Sequence, residues 1–405
     1  MTEILSGIRV LEVASWTFVP AAGAILADWG ADVLKIEHPV TGDPQRGLIS
    51  SGLVPGVVGG FNYMIEQPNR GKRSVGLNLA HPDGRELLYR LAESSDVFLT
   101  NFLPDARARL EIDVEHLRAR NPALIYVRGS GQGVRGADAG KGGYDGASYW
   151  ARGGIAAALT PRGVEPPIGQ RPAFGDVMGG MAIAGGIAAA LLRRARTGEP
   201  SIVDVSLLGT ALWNLCPDVV SSKLYEHVET PSFEPGDFPN PLVGLYRTED
   251  GRYVSLVMLE SDRFWADFCE HLGHPELVDD PRFVDAGARF EHRRECRQLI
   301  ADIVAGAPLA EWRDRFATMR GVWAPVQTAR ELHDDAQVIA NGYLPTVSAD
   351  DGTPVALVAN PVQFDESPPA LRRAPEHGQH TEEVLLELGL SWDDLIGHKE
   401  TGAIL

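Results

Sequence analysis

The fold is decided near the start of the chain, by the stretch Ile8-Arg9-Val10-Leu11-Glu12-Val13-Ala14 and the residues that follow it. This mostly apolar stretch predicts a buried strand. Residues 20–29 predict a helix that begins with proline and ends at Gly30, and residues 32–37 predict a second strand. A strand, a helix and a strand in immediate succession form a right-handed unit whose strands are parallel.

This opening resembles that of a Rossmann fold, because an acidic residue, Glu37, ends the second predicted strand. The turn at residues 15–19 contains no glycine that would let a pyrophosphate approach the backbone. We therefore expect no nicotinamide cofactor. Further predicted strands at residues 96–100 and 123–128, with a helix at residues 81–94, extend the same α/β pattern and indicate a parallel sheet.

The pattern changes after residue 212, and this change predicts the domain organisation. Residues 1–212 are expected to form the first part of the large α/β domain, and residues 213–240 a linker. A smaller central α+β domain is expected over residues 241–328, where an Asp-Gly turn joins two strands of a hairpin. The segment 329–405 is expected to return to the large domain.

Composition bears on three questions: nucleic-acid binding, the cellular compartment and membrane insertion. The formal net charge of -18 argues against general nucleic-acid binding, which needs a basic surface. Three scattered cysteines do not form a disulfide framework and favour a reducing, cytoplasmic location. The first seven residues lack the features of a signal peptide. The longest uncharged run, residues 177–192, is shorter than the ~20 residues that cross a bilayer, so we expect a buried helix and no membrane insertion.

No metal site is expected. Cys269, His271 and His274 lie close together in the sequence, but they lack the second pair of ligands that a structural zinc site has. An amphipathic helix that ends at Gly273 explains their spacing as well.

A lone acid, Asp176, lies between Gly175 and the pair Gly179 and Gly180, at the head of the uncharged run. One interpretation is a helix N-cap, which aspartate favours. The other is a reactive group, since glycines in a first helical turn leave room for a ligand. A carboxylate at a helix N-terminus is expected to have a lowered pKa. It would attack a thioester carbonyl as a nucleophile, and nearby main-chain N–H groups would hold the oxyanion.

Three cations, Arg70, Lys72 and Arg73, precede a short predicted strand in an otherwise acidic protein. They predict either a solvated turn or a phosphate-binding segment, and the residues alone do not decide between these. The glycine-rich loop at residues 129–143 follows a predicted strand, and loops in that position form the ligand crevice of open α/β sheets.

In these segments the sequence resembles the family III CoA-transferases of the CaiB/BaiF type, a superfamily that also includes the α-methylacyl-CoA racemases. The matching segments occur in the family order over most of the chain: residues 7–12, 26–37, 69–79, 101–102, 143–145, 175–176, 191–205 and 245–259.

The resemblance implies a Rossmann-like large domain whose parallel sheet is built from both chain ends, and an interlocked homodimer. It implies transfer of coenzyme A from an acyl-CoA to a free carboxylic acid, with Asp176 as the nucleophile that passes through anhydride and thioester intermediates. It places Tyr144 and Asp145 beside the thioester, and it places Glu260 where the racemases have a glutamate, as a further candidate catalytic residue. The coenzyme A site that it implies consists of Trp16, Thr17, Phe18, His38, Lys72, Arg73, Ser74, Val75, Asn101, Phe102, Arg109 and Gly143.

Three departures bear on this assignment. Racemases have histidine where this chain has Tyr144. A tyrosine with a pKa near ~10 is a poor second base, so this residue favours transfer over racemisation. Glu260, at a position where racemases have a glutamate, keeps racemisation open as an alternative. The glycine run of oxalate enzymes is absent from residues 238–244. His38 stands where the family often has arginine. A non-catalytic CoA-binding protein of the same fold remains a third alternative. The apolar stretch 48–61 suggests a medium or bulky acyl group.

Overall fold

The computed structural model describes residues 3–52, 61–226 and 237–405. Residues 53–60, which belong to the apolar stretch assigned to acyl binding, lie outside this part of the chain. The chain divides into two compact units, Met1–Val228 with Ala336–Leu405, and Glu229–Asp335.

The first unit is built on a six-stranded sheet in the order β3-β2-β1-β4-β5-β6, in which every neighbouring pair is parallel. This is the doubly wound order, which reverses direction between β1 and β4. The strands are β1 (Arg9–Val13), β2 (Asp32–Glu37), β3 (Arg73–Gly76), β4 (Val97–Thr100), β5 (Ile125–Ser130) and β6 (Ile202–Ser206).

Successive residues of the strands alternate between two cores on opposite faces of the sheet. Val10 belongs to the core with the N-terminal helix, and Leu11 to the core with the C-terminal helices. The predicted α/β class and parallel sheet are therefore confirmed. The helices of this unit before the second unit are α1 (Phe18–Asp28), α2 (Tyr63–Asn69), α3 (Pro82–Glu93), α4 (Pro104–Arg109), α5 (Val114–Arg120), α6 (Ile155–Leu159), α7 (Phe174–Thr197), α8 (Leu207–Asn214) and α9 (Cys216–Leu224).

The longest helix, α7, packs along α1 through a stripe of small and apolar residues that includes Gly179, Gly180, Ile183 and Ile187. Among the described helices, α7 alone is long and apolar enough to cross a membrane by length and composition. Its buried stripe belongs to the core around β1, β4 and β5.

The smaller unit contains the antiparallel sheet β7-β8-β9, with strands β7 (Val243–Arg247), β8 (Tyr253–Val257) and β9 (Trp323–Pro325). Four helices surround a separate aromatic core: α10 (Ser261–Leu272), α11 (Ala286–Glu291), α12 (Arg293–Val304) and α13 (Leu309–Arg315). The predicted hairpin is present. The stretch 213–240, expected to be a linker, includes helix α9, because apolar residues recur at helical spacing there.

The expectation that the parallel sheet is built from both chain ends is wrong, because all six strands lie between Arg9 and Ser206. Later residues instead line the outer edge of β3. The amide of His380 donates to the carbonyl of Ser74 at 2.9 Å, and the amide of Gly76 donates to the hydroxyl of Thr381 at 2.9 Å. The remaining elements are α14 (Ala336–Ala340), the hairpin β10 (Thr346–Ser348) and β11 (Pro354–Ala356), α15 (Thr381–Glu387) and α16 (Trp392–Glu400).

A group of buried charges lies beside α1. Glu12 accepts from Lys72 at 2.7 Å and pairs with Lys35 at 3.3 Å, and all three side chains are enclosed. Gly23 of α1 provides the room, since a Cβ there would lie 2.0 Å from the Glu12 carboxylate. Burial alone would depress the pKa of Lys35, but the carboxylates of Asp43 and Glu12 raise it above its usual range. These charges are paired internally and do not face a ligand.

Candidate active site

A cavity of about 620 Å³ opens at the carboxyl ends of β1, β4 and β5. This is the point where the strand order reverses, which is the usual ligand crevice of an open α/β sheet. Residues that follow three strands line it: Ser15 and Trp16 after β1, Asn101 and Phe102 after β4, and Gly131 after β5. Tyr144 and Asp176 complete the same cavity.

Asp176 lies in the first turn of α7 and is not its N-cap. The cap residue is Ala173, in the left-handed conformation with φ 60°, and its side chain cannot cap. The carboxylate of Asp145 takes that role from another loop, since it accepts from the amide of Gly175 at 3.0 and 3.2 Å. The predicted N-cap reading of Asp176 is wrong, and its carboxylate is left free to face the cavity.

The environment of Asp176 changes its acidity in the direction opposite to that expected from the helix N-terminus. Burial of the carboxyl group, reinforced by the negative charge of Asp145, raises the pKa of Asp176 to about 7. Within the described ranges, neither a cation nor a hydrogen-bond donor contacts this carboxylate. The expectation of a lowered pKa is therefore wrong, because the first-turn amide that would stabilise the charge is bound to Asp145.

The same contacts remove two candidates for the predicted oxyanion site. The amide of Gly175 is bound to Asp145, and that of Val177 to the carbonyl of Ala173 at 3.1 Å. These first-turn amides are consequently not free to hold an oxyanion.

Packing contacts that could not be seen in the sequence explain why α7 needs glycine at three positions. A Cβ on Gly179 would lie 2.3 Å from the ring of Phe18, and one on Gly180 would lie 2.8 Å from Ala21. Both glycines therefore allow α7 to approach α1 and do not make room for a ligand. A Cβ on Gly175 would lie 2.3 Å from the Tyr149 ring, so this glycine lets the Asp145 loop reach the helix.

The turn after β1 presents an aromatic side chain to the cavity. Trp16 has φ 70°, and its amide donates to Asp43 at 3.1 Å. Its indole meets the ring of Tyr144 edge to face, with centroids 5.5 Å apart. Asn101 fixes the start of this turn, because its side chain accepts from the amide of Ser15 at 3.1 Å and donates to the Ser15 carbonyl at 2.7 Å.

Of the residues assigned to the coenzyme A site, five line the cavity: Trp16, Phe18, Asn101, Phe102 and Gly143. Thr17 lies on the turn, but its hydroxyl donates to Gln45 at 3.0 Å and it does not line the cavity. Gly143 is required by crowding, since a Cβ there would lie 2.1 Å from the hydroxyl of Ser148.

The cationic segment is neither a solvated turn nor an open phosphate site. Lys72 is enclosed by Glu12, and Arg73 pairs with Asp32 at 2.7 Å. The hydroxyl of Ser74 donates to Glu37 at 2.7 Å, and Val75 is a core residue. Burial lowers the pKa of Lys72 to about 8 despite the charge of Glu12.

Three further assigned residues lie away from the cavity lining. His38 is exposed, and its Nδ1 accepts from the amide of Val40 at 3.2 Å. Arg109 is exposed at the end of α4. Glu260 is an exposed residue of the smaller unit, next to Arg263 at 3.5 Å.

Two arginines that line the cavity were missed. Arg107 donates to Asp113 at 2.8 Å and to the carbonyl of Phe102 at 2.6 Å, and Arg128 donates to Asp204 at 2.6 Å. Their position in the sequence could have indicated them, since Arg128 ends the predicted strand 123–128 and Arg107 lies in the helix that follows the predicted strand 96–100.

The residues considered for metal binding do not converge. Cys269 is buried in the aromatic core, while His274 is bonded to Glu276 at 2.8 Å. The part of the chain that the structure describes contains no group of three or more potential metal ligands.

Comparison with known proteins gives one consistent family. The sequence model of CoA-transferase family III matches residues 5–381. The chain is 29% identical to the (R)-2-hydroxy-4-methylpentanoate CoA-transferase of Clostridioides difficile, over 99% of both chains. It is 31% identical to the cinnamoyl-CoA:phenyllactate CoA-transferase of Clostridium sporogenes, over 97% of this chain and 95% of that relative. The solved structure of a CAIB/BAIF family protein from Brucella suis is similar, with a TM-score of 0.80 at 28% identity over 95% of this chain and 99% of that chain.

Proposed function

The chain belongs to CoA-transferase family III and is an enzyme that transfers coenzyme A from an acyl-CoA to a carboxylic acid, and we propose that Asp176 is its nucleophile. The observation that carries this proposal is the position of Asp176: among the described residues it is the one carboxylate that lines the cavity at the sheet's switch point, and none of them pairs a cation with it.

The reaction proceeds by four acyl transfers. A carboxylate oxygen of Asp176 attacks the thioester carbonyl and the carbon–sulfur bond breaks. The thiolate of coenzyme A is released, and the acyl group and Asp176 now form a mixed anhydride. The thiolate attacks the aspartyl carbonyl and releases the donor acid, which leaves an aspartyl thioester. The acceptor carboxylate then attacks the carbonyl of this thioester, the carbon–sulfur bond breaks, and the coenzyme A thiolate is released as a second anhydride forms. The thiolate finally attacks the acceptor's carbonyl and regenerates the Asp176 carboxylate.

The acidity of Asp176 suits this role. A carboxylate in an ion pair is a weak nucleophile, because its charge is already stabilised. Burial and the neighbouring Asp145 raise the pKa of Asp176 to about 7, so the group is ionised above neutral pH and its charge is poorly stabilised. Perturbed acidity inside a cleft is typical of catalytic groups.

The substrates proposed are acyl-CoA thioesters and free acids of moderate size. The relatives in the comparison act on 2-hydroxy and aryl acids by name. The cavity is lined by apolar side chains that suit such groups, among them Trp16, Phe18, Phe102 and Leu207. We propose testing 2-hydroxyacyl-CoA and arylacyl-CoA donors first.

We also propose a cytoplasmic, interlocked homodimer. The face of α7 opposite its buried stripe exposes Met178 and Leu192, and α8 and α9 expose Trp213 and Leu224, an apolar surface of the kind that subunits cover. The three cysteines form no disulfide, which fits a reducing compartment.

The test is the Asp176→Ala variant, with Asp83→Ala as a matched control. Asp83 is also a first-turn aspartate of a helix in this unit, but it does not line the cavity. We expect Asp176→Ala to lower kcat by at least ~10³-fold while calorimetry shows retained coenzyme A binding, and Asp83→Ala to behave as the wild type. Hydroxylamine added during turnover should leave a hydroxamate at position 176, detected by mass spectrometry. Retained turnover, or a hydroxamate at another residue, would disprove the assignment.

A further inference from the structure

Trp16 adopts a backbone conformation that its side chain disfavours. Its φ of 70° lies in the left-handed region, which bulky residues rarely enter unless their surroundings hold them there. The indole nonetheless forms part of the cavity lining, against the ring of Tyr144.

A second turn, at residues 43–45, contacts the backbone amide of Trp16 and the side chain of the next residue, Thr17. One carboxylate oxygen of Asp43 accepts from the amide of Trp16 at 3.1 Å and from the amide of Gln45 at 3.0 Å. The side chain of Gln45 in turn accepts from the hydroxyl of Thr17 at 3.0 Å. The strained residue is therefore tied down at its own amide and at the next side chain.

Asp43 is itself fixed by a buried cation. Its other carboxylate oxygen lies 2.8 Å from Nζ of Lys35, and both side chains are enclosed. Lys35 also donates to the carbonyl of Ala14 at 3.0 Å, two residues before Trp16. One ammonium group on β2 therefore anchors the turn directly, through Ala14, and indirectly, through Asp43.

We propose that Lys35 and Asp43 are positioning residues: the buried ion pair holds Trp16 in its left-handed conformation, so that the indole and Tyr144 form one wall of the acyl-CoA cavity. This inference rests on the proposed function only in that the cavity binds the thioester; it assigns no chemistry to either residue.

The first experiment reads the conformation of Trp16 without any ligand. The protein contains 8 tryptophans; labelled with 5-fluorotryptophan, each gives a ¹⁹F resonance, and Trp16→Phe identifies that of Trp16. We expect Asp43→Asn to shift or broaden the Trp16 resonance, because one carboxylate oxygen is replaced by an NH₂ donor and the side chain can no longer accept from both Lys35 and the backbone amides.

The matched control is Asp28→Asn. Asp28 is another buried aspartate of an ion pair, 2.7 Å from Arg70. Its carboxylate accepts from Asn360 at 3.0 Å, and Asn360 accepts from the indole of Trp29 at 3.2 Å. Asp28→Asn should therefore move the Trp29 resonance and leave that of Trp16 in place. A Trp16 resonance that is unchanged in Asp43→Asn, or that responds equally to both variants, would overturn the proposal.

If Asp43→Asn does not fold, the double variant Lys35→Met with Asp43→Asn replaces the pair by neutral side chains of similar size. It lacks both anchors of the turn, so the same shift of Trp16 is expected, and an unshifted resonance again overturns the proposal.

The second experiment is a kinetic double-mutant cycle on the KM for acyl-CoA. Asp43→Asn and Trp16→Gly should each raise KM by about 10-fold, with kcat changed less than 3-fold. In the Trp16→Gly background, Asp43→Asn should add less than about 2-fold, because no indole remains to be placed. Effects that multiply to about 100-fold would show that Asp43 acts independently of Trp16 and overturn the proposal. Failure of the Asp176 assignment would leave both the resonance shifts and this coupling unaffected.

Discussion

Two carboxylates of the same unit, the buried Glu37 and the half-buried Asp176, are held in opposite ways. Glu37 accepts from Arg46 at 2.7 and 2.8 Å, from Ser74 at 2.7 Å and from the amide of Asp43 at 2.9 Å. Burial alone would raise its pKa, but the hydrogen bonds of Arg46 and the charge of Lys35 outweigh burial and lower the pKa to about 2. Asp176 has no such partners among the described residues, and burial raises its pKa to about 7.

The difference separates a structural from a reactive carboxylate. Glu37 stabilises the fold because its charge is bonded more strongly in the native state than in water. The charge of Asp176 is less stable in the native state than in water, so the fold must tolerate it for another purpose. Functional groups commonly lower stability in this way. Each of the following variants tests one side of this contrast.

The largest effect is expected for Glu37→Gln. Removal of one partner from a buried, bonded pair typically costs about 3–5 kcal/mol, and the urea midpoint at pH 7 should fall accordingly. The pKa of Glu37 is depressed from 4.5, so its stabilisation is complete above pH 4.5 and is lost as the pH falls toward 2. The difference from the wild type should shrink over that window.

The matched control for that variant is Glu383→Gln. Glu383 is an exposed partner of Arg73 at 3.2 Å, and surface pairs contribute only about 0–1 kcal/mol. Equal losses for Glu37→Gln and Glu383→Gln would contradict the contrast.

The second-largest effect is expected for Asp176→Asn, which should raise the free energy of unfolding instead of lowering it. The pKa of Asp176 is raised from 3.8 to about 7, so the native state holds this proton more tightly than the unfolded state, and stability falls as the pH rises from 3.8 to 7. Asp176→Asn removes the charge and should stabilise the protein at pH 8 by on the order of 2–4 kcal/mol. The gain should disappear below pH 3.8. Thermal unfolding at several pH values measures it, and a loss of stability at pH 8 would refute the argument.

A smaller loss is expected for Gly179→Ala, which tests the packing that positions Asp176. The new methyl group would lie 2.3 Å from the ring of Phe18, and overpacking of this kind costs about 1–3 kcal/mol. Gly397→Ala in α16 is the control, because nothing lies within 4 Å of its Cβ position, so alanine should stabilise that helix by up to ~1 kcal/mol. If both substitutions stabilise the protein, Gly179 is not a packing requirement.

The smallest effect concerns the neighbour of Asp176. Asp145→Asn removes a negative charge, so the pKa of Asp176 should fall and the acid limb of kcat/KM should move to lower pH by less than ~1 unit, since burial remains the larger cause. Asp138→Asn, in the preceding loop and bonded to Lys141 at 2.7 Å, is the control. A limb that stays fixed or moves to higher pH would show that the two carboxylates do not interact.

The fold could be predicted from the sequence where the signal is local. The alternation in β1, with Val10 and Leu11 in different cores, and the helix and strand that follow are encoded within residues 8–37. The source of the sheet strands was mispredicted, because that expectation came from the resemblance and not from a local pattern: residues near the C-terminus bond the β3 edge without adding a strand to the sheet.

The site was predicted in part, for the same reason. Asp176 and Tyr144 were assigned from motifs, and both line the cavity. Lys72 was assigned to phosphate because its partner, Glu12, lies 60 residues earlier, and Gly179 was assigned to ligand approach because the ring that requires it belongs to α1. Sequence patterns identify which residue types are unusual; only the contacts show whether a ligand or another side chain explains them.

The C-terminal residues that bond the outer edge of β3 also affect folding during synthesis. The residues that cap Ser74 and Gly76 follow them by about 305 positions. A ribosome adds about 5–20 residues per second, so the nascent sheet keeps an open edge for ~15–60 s. Open strand edges pair readily with other chains. Synthesis at high concentration should therefore depend on chaperones that shield this edge until the capping residues emerge.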